Sequence, residues 1–227
     1  MRRRIWSAAS LLASAVLYND WLLQLFVPTG LAQADSYVSE AFAADQPYRT
    51  LFAGVELACA ALITAAGMLG MTSSHRAGTA LRTGWTAVTA IGLFSIADVL
   101  LPMRCAPSRE SGCPPDNVWH TTTSALVHLA LFVSMALFTW VGRSRVGGWE
   151  LVGRWGPWLL PVSMTAAVSS VGPYFGHSGG QGIAQRIHLV TVGCWFALLA
   201  VQLVRAKDGP AGTSAPTEVS PKTQTLT

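Results

Sequence analysis

The fold class this sequence predicts is all-α, a polytopic membrane bundle of about six transmembrane helices with both termini in the cytosol. Three observations predict it. Only 11% of the 227 residues are charged and 51% are hydrophobic, at a mean hydropathy of +0.41, whereas a soluble domain carries about 25% charged residues. Six apolar runs can be drawn, each near the roughly 20 residues that a hydrocarbon core requires. The basic residues are distributed unevenly about those runs.

The first run, Ile5 to Val27, has a basic start at Arg2, Arg3 and Arg4 and is followed by Leu31-Ala32-Gln33-Ala34, which imitates a signal cleavage site. Its apolar stretch is longer than a signal core and contains Asn19, Asp20 and Gln24, so the expectation is an uncleaved helix. Leu51 to Met71 is the cleanest run, interrupted only by Glu56. Thr83 to Met103 carries Ser95 and Asp98 near its outer end. Val118 to Val141 places His120, Ser124 and His128 four residues apart, on one helical face. Trp155 to Tyr174 contains Ser163-x-x-x-Ala167 and Ala166-x-x-x-Ser170, and Ala66-x-x-x-Gly70 closes the second run; such small residues allow helices to approach closely in lipid. Ile183 to Val204 holds Arg186 and His188 in its outer half. Runs of this kind satisfy their backbone groups internally as helices, and the alternation of a barrel strand is absent.

With the amino terminus inside, the cytosolic segments hold Arg2, Arg3, Arg4, Arg76, Arg82, Arg143, Arg145, Arg154, Arg205, Lys207 and Lys222, and the outer segments hold Arg49, Arg104, Arg109 and Arg186. This is a positive-inside distribution. The net charge of +4 follows from it and gives no reason to expect nucleic acid as a partner; the expected partner is the lipid bilayer of the cell membrane. Acidic residues Asp35, Glu40, Asp45, Glu110 and Asp116 collect in the outer loops, where Ser36 to Glu40 predicts a short interfacial helix. Cys105 and Cys113, eight residues apart among Pro107, Pro114 and Pro115, predict a disulfide in an oxidising compartment. Gly179-Gly180-Gln181-Gly182 reads as a flexible loop before the last run. Residues 1–207 form one transmembrane domain, and residues 208–227, poor in apolar side chains, predict a disordered cytosolic tail.

The ionisable residues inside the runs are Asp20, Glu56, Asp98, His120, His128, Arg186 and His188, and all fall toward the outer side. A charged group at the bilayer centre costs about 2.5–3.5 kcal/mol on insertion scales, so such residues usually face a bundle interior or a wet cavity. Together with Ser124 they predict an outward-facing polar pocket. Arg186 is a ready partner for Asp98 or Glu56, and a pair that merely fixes helix register is the plain alternative to a functional role. Asp20 and Glu56 are read either as neutral structural groups or as proton carriers.

Asn19-Asp20, Ser39-Glu40, Gln46-Pro47, Asp98 with Leu101-Pro102, Cys105-Ala106-Pro107 with Cys113, His120 with Ser124-Ala125-Leu126, and Gln185-Arg186 occur in that order. Across Asn19 to Val204 the sequence thereby resembles the bacterial, here actinobacterial, six-helix membrane family catalogued as domain-of-unknown-function family nine-nine-eight. The resemblance implies a fold and no assigned activity. A looser similarity links the Ser, Asp and His set to the ceramidase and adiponectin-receptor superfamily, whose zinc hydrolase site uses a paired His-x-x-x-His. His120 and His128 are twice that distance apart, and six runs stand where seven spans are usual.

Three functions compete. The first is a non-enzymatic pocket binding a lipid headgroup or small solute, or passing a proton. The second is a zinc-dependent hydrolase or lipid-modifying enzyme, with ligands drawn from Asp98, His120, His128 and His188 and catalytic candidates Asp98, Ser124, His128 and His188. There zinc would lower the pKa of a bound water toward about 7. The third is a b-type haem carrier with His128 and His188 as axial ligands. The first is preferred, and no enzymatic activity is assigned.

Overall fold

The computed structural model describes residues 1–73, 78–113, 117–144 and 148–206. Arg76, Pro114, Pro115, Asp116, Arg145, Lys207, Lys222 and the tail lie outside the described residues. Among those described there is no strand, and six long helices carry the fold: α1 Arg2–Leu17, α2 Arg49–Ser73, α3 Thr79–Leu100, α4 Val118–Arg143, α5 Glu150–Ser169 and α6 Gln181–Arg205. By length and composition α2, α3, α4 and α6 can each cross a membrane. Each helix packs on its neighbour in the chain, and α6 closes on α1, so the six form a ring.

Hydrogen bonds define the two ends of the ring. At one end Arg4 Nη1 donates to the carbonyl of Ala206, 2.8 Å away, joining the start of α1 to the end of α6. At the other end the connections 18–48, 101–117 and 170–180 meet: Ser108 N donates to Glu40, and Gly180 N donates to Asp35. We call this second end the cap end.

The first helix is shorter than the apolar run that contains it. It ends at Leu17, and the chain continues as a 3-10 helix over Asp20–Leu25. Asn19 leaves helical geometry at φ −107° and ψ 38°. Its side-chain amide donates to the carbonyl of Ala15 and its Oδ1 accepts from Trp21 Nε1, each at 3.1 Å. Polar side chains that bond their own backbone in this way compete with helix continuation. A 16-residue helix spans only about 24 Å of a roughly 30 Å hydrocarbon core. In α5, which starts five residues before the run it was drawn from, the N-terminal N–H groups of Leu151 and Val152 are taken by Gln202 Oε1 at 2.8 and 3.2 Å.

The half of the ring away from the cap is filled by aromatic rings. Trp85 meets Phe138 edge-on at 5.0 Å, Phe138 stacks on Trp149 at 5.3 Å, and Trp195 lies 6.2 Å from Phe138. Leu11, Ile63, Val88, Leu131, Met135 and Leu199 are fully buried around them. In lipid, packing of this kind supplies helix association, because apolar burial alone gains little there. Small residues set the separations: a Cβ added at Gly70 would collide with the Trp85 ring, and one at Gly156 with Thr139. The outer surface of the ring is apolar, with Val16, Trp140, Trp158 and Val204 each more than half exposed.

Candidate functional site

The cap-end half of the ring is polar, and α2 to α6 and the residue just past α1 contribute to it. On α2 the inward residues Phe52, Glu56, Cys59 and Ile63 recur at helical spacing, so the face that buries Phe52 and Ile63 also turns Glu56 toward the ring interior. By the same periodicity Asp98 follows Ile91 and Ser95 on α3, Ser124 and His128 precede Leu131 on α4, and His188 precedes Val192 and Trp195 on α6. Ser163 of α5 and Tyr18, just past α1, complete the layer. Counted from the cap end, Asp98 is about 3 Å deep, Ser124, Ser163, Glu56 and His188 about 9–11 Å and His128 about 15 Å.

From Asp98 to His188 the groups are linked. Asp98 Oδ1 accepts from Thr123 Oγ1 at 2.5 Å and from Ser124 Oγ at 2.8 Å, and His120 Nδ1 lies 3.3 Å from the same oxygen. Phe42 from the first connection sits against the His120 ring at 5.9 Å. His128 Nδ1 lies 2.7 Å from the Ser124 carbonyl, and His188 Nδ1 lies 3.1 Å from the Ser163 carbonyl and 2.9 Å from its hydroxyl. A carbonyl only accepts, so the His128 ring carries its proton on Nδ1, while the His188 Nδ1 meets both a carbonyl and a hydroxyl that can take either role. The two rings stack on each other at 4.7 Å and 16°.

A second group forms around Arg186. Its Nη1 donates to the carbonyls of Gln33, Ser36 and Gly182 at 2.6, 3.0 and 3.0 Å, and its Nη2 donates to Gln24 Oε1 at 2.7 Å. The guanidinium lies 5.8 Å from the Trp21 ring. Asp20, Gln24 and Arg186 are all buried, yet Asp20 Oδ1 and Oδ2, Gln24 Nε2 and Arg186 Nε have no hydrogen-bond partner. Glu56 joins the two groups: it lies within Coulombic reach of both Asp20 and Asp98.

The cap is held by polar bonds between connections. Glu40, fully buried, accepts from Tyr37 N at 2.8 Å, Ser108 N at 3.0 Å and Ser108 Oγ at 2.5 Å. Arg109 Nη1 donates to the Thr29 carbonyl at 3.0 Å, and Gln46 Nε2 donates to Glu110 at 2.9 Å. The Cys105–Cys113 disulfide, with a Cα separation of 5.9 Å, closes the loop that carries Ser108, Arg109 and Glu110. The expected interfacial helix appears as a 3-10 turn over Val38–Phe42, and its Val38 N–H donates to Gln185 of α6 at 2.6 Å. The Tyr37 hydroxyl donates to the Ser170 carbonyl at 2.7 Å, and burial pushes its pKa above the usual tyrosine value.

A family model described as Protein of unknown function (DUF998) matches residues 7–202. The chain belongs to the DUF998 family. No curated protein and no solved structure matches it. The DUF998 match runs from the first turns of α1 almost to the end of α6, so it includes the cap, the polar layer and the aromatic half together.

Of the residues singled out in the DUF998 chain, Asp98, His120, Ser124, His128 and His188 are linked through direct contacts, and Asp20 accompanies Arg186. Arg186 takes loop carbonyls and Gln24 as partners instead of Asp98 or Glu56. The reason is the position of the first connection, whose carbonyls lie against the N-terminal turns of α6. Gly179-Gly180-Gln181-Gly182 is more than a flexible link. Gly179 and Gly180 take φ of 118° and 77°, helix α6 already starts at Gln181, and Gly182 N donates to the Ala34 carbonyl at 2.9 Å. A Cβ on Gly182 would collide with the carbonyl oxygens of Gln33, Ala34 and Ser36, so only glycine permits this approach. Ser163 and Gln24, which sequence reasoning treated as a packing residue and a bystander, hold His188 and Arg186.

Among the described residues the side chains assemble neither a metal-ligand set nor a pair of axial haem ligands. Among the described residues no three His, Cys, Asp or Glu side chains gather as a ligand set. Asp98 and His120 would supply two donors, while His128 and His188 stack as a separate pair. Rings stacked face to face do not direct nitrogens at one iron from opposite sides, as bis-histidine haem ligation requires. Two surface hollows of about 580 Å³ each lie elsewhere, one lined by Gly142, Arg143, Glu150 and Gly153, the other a groove between α5 and α6 running past Pro161, Ile183 and Ile187.

Proposed function

We propose that this protein is a multi-pass protein of the cell membrane, with both termini in the cytosol, whose cap-end polar layer faces outward and binds a lipid headgroup or a small solute. The observation that carries the proposal is the ring-facing layer of polar groups contributed by α2 to α6 and by Tyr18 just past α1, in which Glu56 has no hydrogen bond among the described residues. An unpaired carboxylate in a membrane interior costs several kcal/mol unless water or a ligand meets it. The aromatic half fills the opposite end, which leaves the cap side as the route of access that the proposal requires. The basic residues, concentrated at the end where α1 begins and α6 ends, support an outward cap. So does the disulfide, which belongs to an oxidising compartment.

The test is native mass spectrometry of protein extracted directly from its membrane into nanodiscs. A bound lipid or solute at one per chain is expected, and Glu56→Gln combined with Asp98→Asn is expected to release it. Wild-type protein that carries nothing, in a preparation retaining its folded helix content, would contradict the proposal.

A further inference from the structure

We propose that Asp20, Gln24 and Arg186 seat a zwitterion carrying a primary ammonium and a phosphate, with the ammonium toward Asp20 and Glu56 and the phosphate toward the Nε edge of Arg186 and Gln24 Nε2. This rests on the reading that the layer takes a headgroup or solute, and it names that ligand's chemistry.

The chemistry follows from which atoms lack partners. Asp20, Gln24 and Arg186 are 3%, 8% and 7% exposed, so water does not reach them freely. Four of their polar atoms are unpartnered: two acceptors on Asp20, one donor on Gln24 and one on Arg186. Asp20 and Arg186 sense each other electrostatically but form no ion pair among the described residues. If they touched, the set would satisfy itself. The guanidinium is held in place, because Nη1 is tied to three carbonyls and Nη2 to Gln24. What remains is its Nε, and on the Gln24 side chain that accepts from Nη2 the amide nitrogen is likewise without a partner. That pair of donors suits an anionic oxygen, and a planar guanidinium edge is well matched to phosphate.

Opposite in charge to the guanidinium are two acidic side chains, Asp20 and, within Coulombic reach of it, Glu56. They call for a cation with N–H donors. A primary ammonium has three; a trimethylammonium has none, so it would leave both Asp20 oxygens unpaired. One molecule bearing both charges satisfies both sides.

A lipid headgroup and a free zwitterion share this chemistry. The surface beside the seat favours the lipid. On the same 3-10 turn Leu22 and Leu25, and just beyond it Phe26, are 43%, 60% and 82% exposed, between and after the buried Asp20 and Gln24. Such an arrangement holds a headgroup inside and offers apolar surface to acyl chains outside.

The experiment uses the full chain in nanodiscs of phosphatidylethanolamine with phosphatidylglycerol, phosphatidylcholine with phosphatidylglycerol, or phosphatidylglycerol alone, with retained lipid counted by native mass spectrometry. Wild-type protein is expected to retain phosphatidylethanolamine roughly tenfold better than phosphatidylcholine, and Asp20→Asn to abolish that preference. Apart from a weak approach of the Trp21 backbone N–H, the Asp20 carboxyl has no partner in the protein, so in discs of phosphatidylglycerol alone this variant is expected to keep the wild-type melting temperature. Gln24→Glu, which removes a donor and sets a carboxylate on the phosphate side, is the second variant and is expected to weaken retention likewise. Free phosphoethanolamine added to the phosphatidylglycerol discs separates the sources: stabilisation equal to that given by phosphatidylethanolamine supports a soluble zwitterion in the same seat. Equal retention of the two zwitterionic lipids, or Asp20→Asn retaining phosphatidylethanolamine at the wild-type level, overturns the seat. A different adduct that depends on Glu56 and not on Asp20 overturns the seat alone and leaves the broader binding proposal standing. No adduct under any condition overturns both.

Discussion

Replacing Glu40 by alanine removes the acceptor that joins the first and second cap connections. Its carboxylate receives Tyr37 N, Ser108 N and Ser108 Oγ. The Ser108 hydroxyl has a second partner in Ser36 Oγ, 2.7 Å away, so it is not stranded. The two backbone N–H groups have none, but Tyr37 is half-buried and Ser108 exposed, so water can meet them and each lost bond costs about 0.5–1.5 kcal/mol. The cap should therefore lose about 1–3 kcal/mol of local stability, which at about 1.4 kcal/mol per decade corresponds to roughly fivefold or more in the population of the open cap. Hydrogen–deuterium exchange reads that population directly. Amides of residues 36–44 and 104–110 should exchange faster by at least that factor, while those of the α4 interior, residues 127–138, should stay unchanged. Glu40→Gln, which keeps one acceptor oxygen, should fall between. Unchanged protection at Tyr37 and Ser108 in Glu40→Ala would refute the view that this carboxylate holds the cap.

Two further outcomes follow from the cap. Reducing the Cys105–Cys113 bond, or replacing both cysteines by serine, should cost about 2–3 kcal/mol for so short a loop; a drop in melting temperature under reductant, absent in the serine variant, checks it. Gly182→Ala should push α6 away from the first connection and loosen the two N–H bonds to the Ala34 carbonyl, at about 2 kcal/mol or more. A Gly54→Ala control, at a position where an added Cβ meets nothing, should leave the melting temperature unchanged.

The helices were legible because their signal is local: an unbroken apolar run must satisfy its own backbone wherever it ends up. Depth was legible for the same reason, since counting residues from a helix end fixes how far Glu56 or His188 lies from the surface. Pairing was not. The Ser108–Glu40 and Arg186–Gln33 bonds join residues far apart in the chain and depend on how the first connection folds back over the ring. The end of α1 was missed because Asn19 stops a helix only when its own side chain takes the bonds that continuation would need. Ser163 looked like one of many small packing residues, and its partnership with His188 is visible only once α5 and α6 are side by side.

The central claim is that the polar layer is reached from the outer face. Thiol accessibility in intact cells tests it most directly, using a membrane-impermeant reagent on a chain whose free cysteines, Cys59 and Cys194, are replaced by alanine. Glu56→Cys should be labelled from outside, while Val88→Cys, buried in the aromatic half, should not. Labelling of residue 56 only after the inner face is exposed would contradict the claim, as would equal labelling of residues 56 and 88.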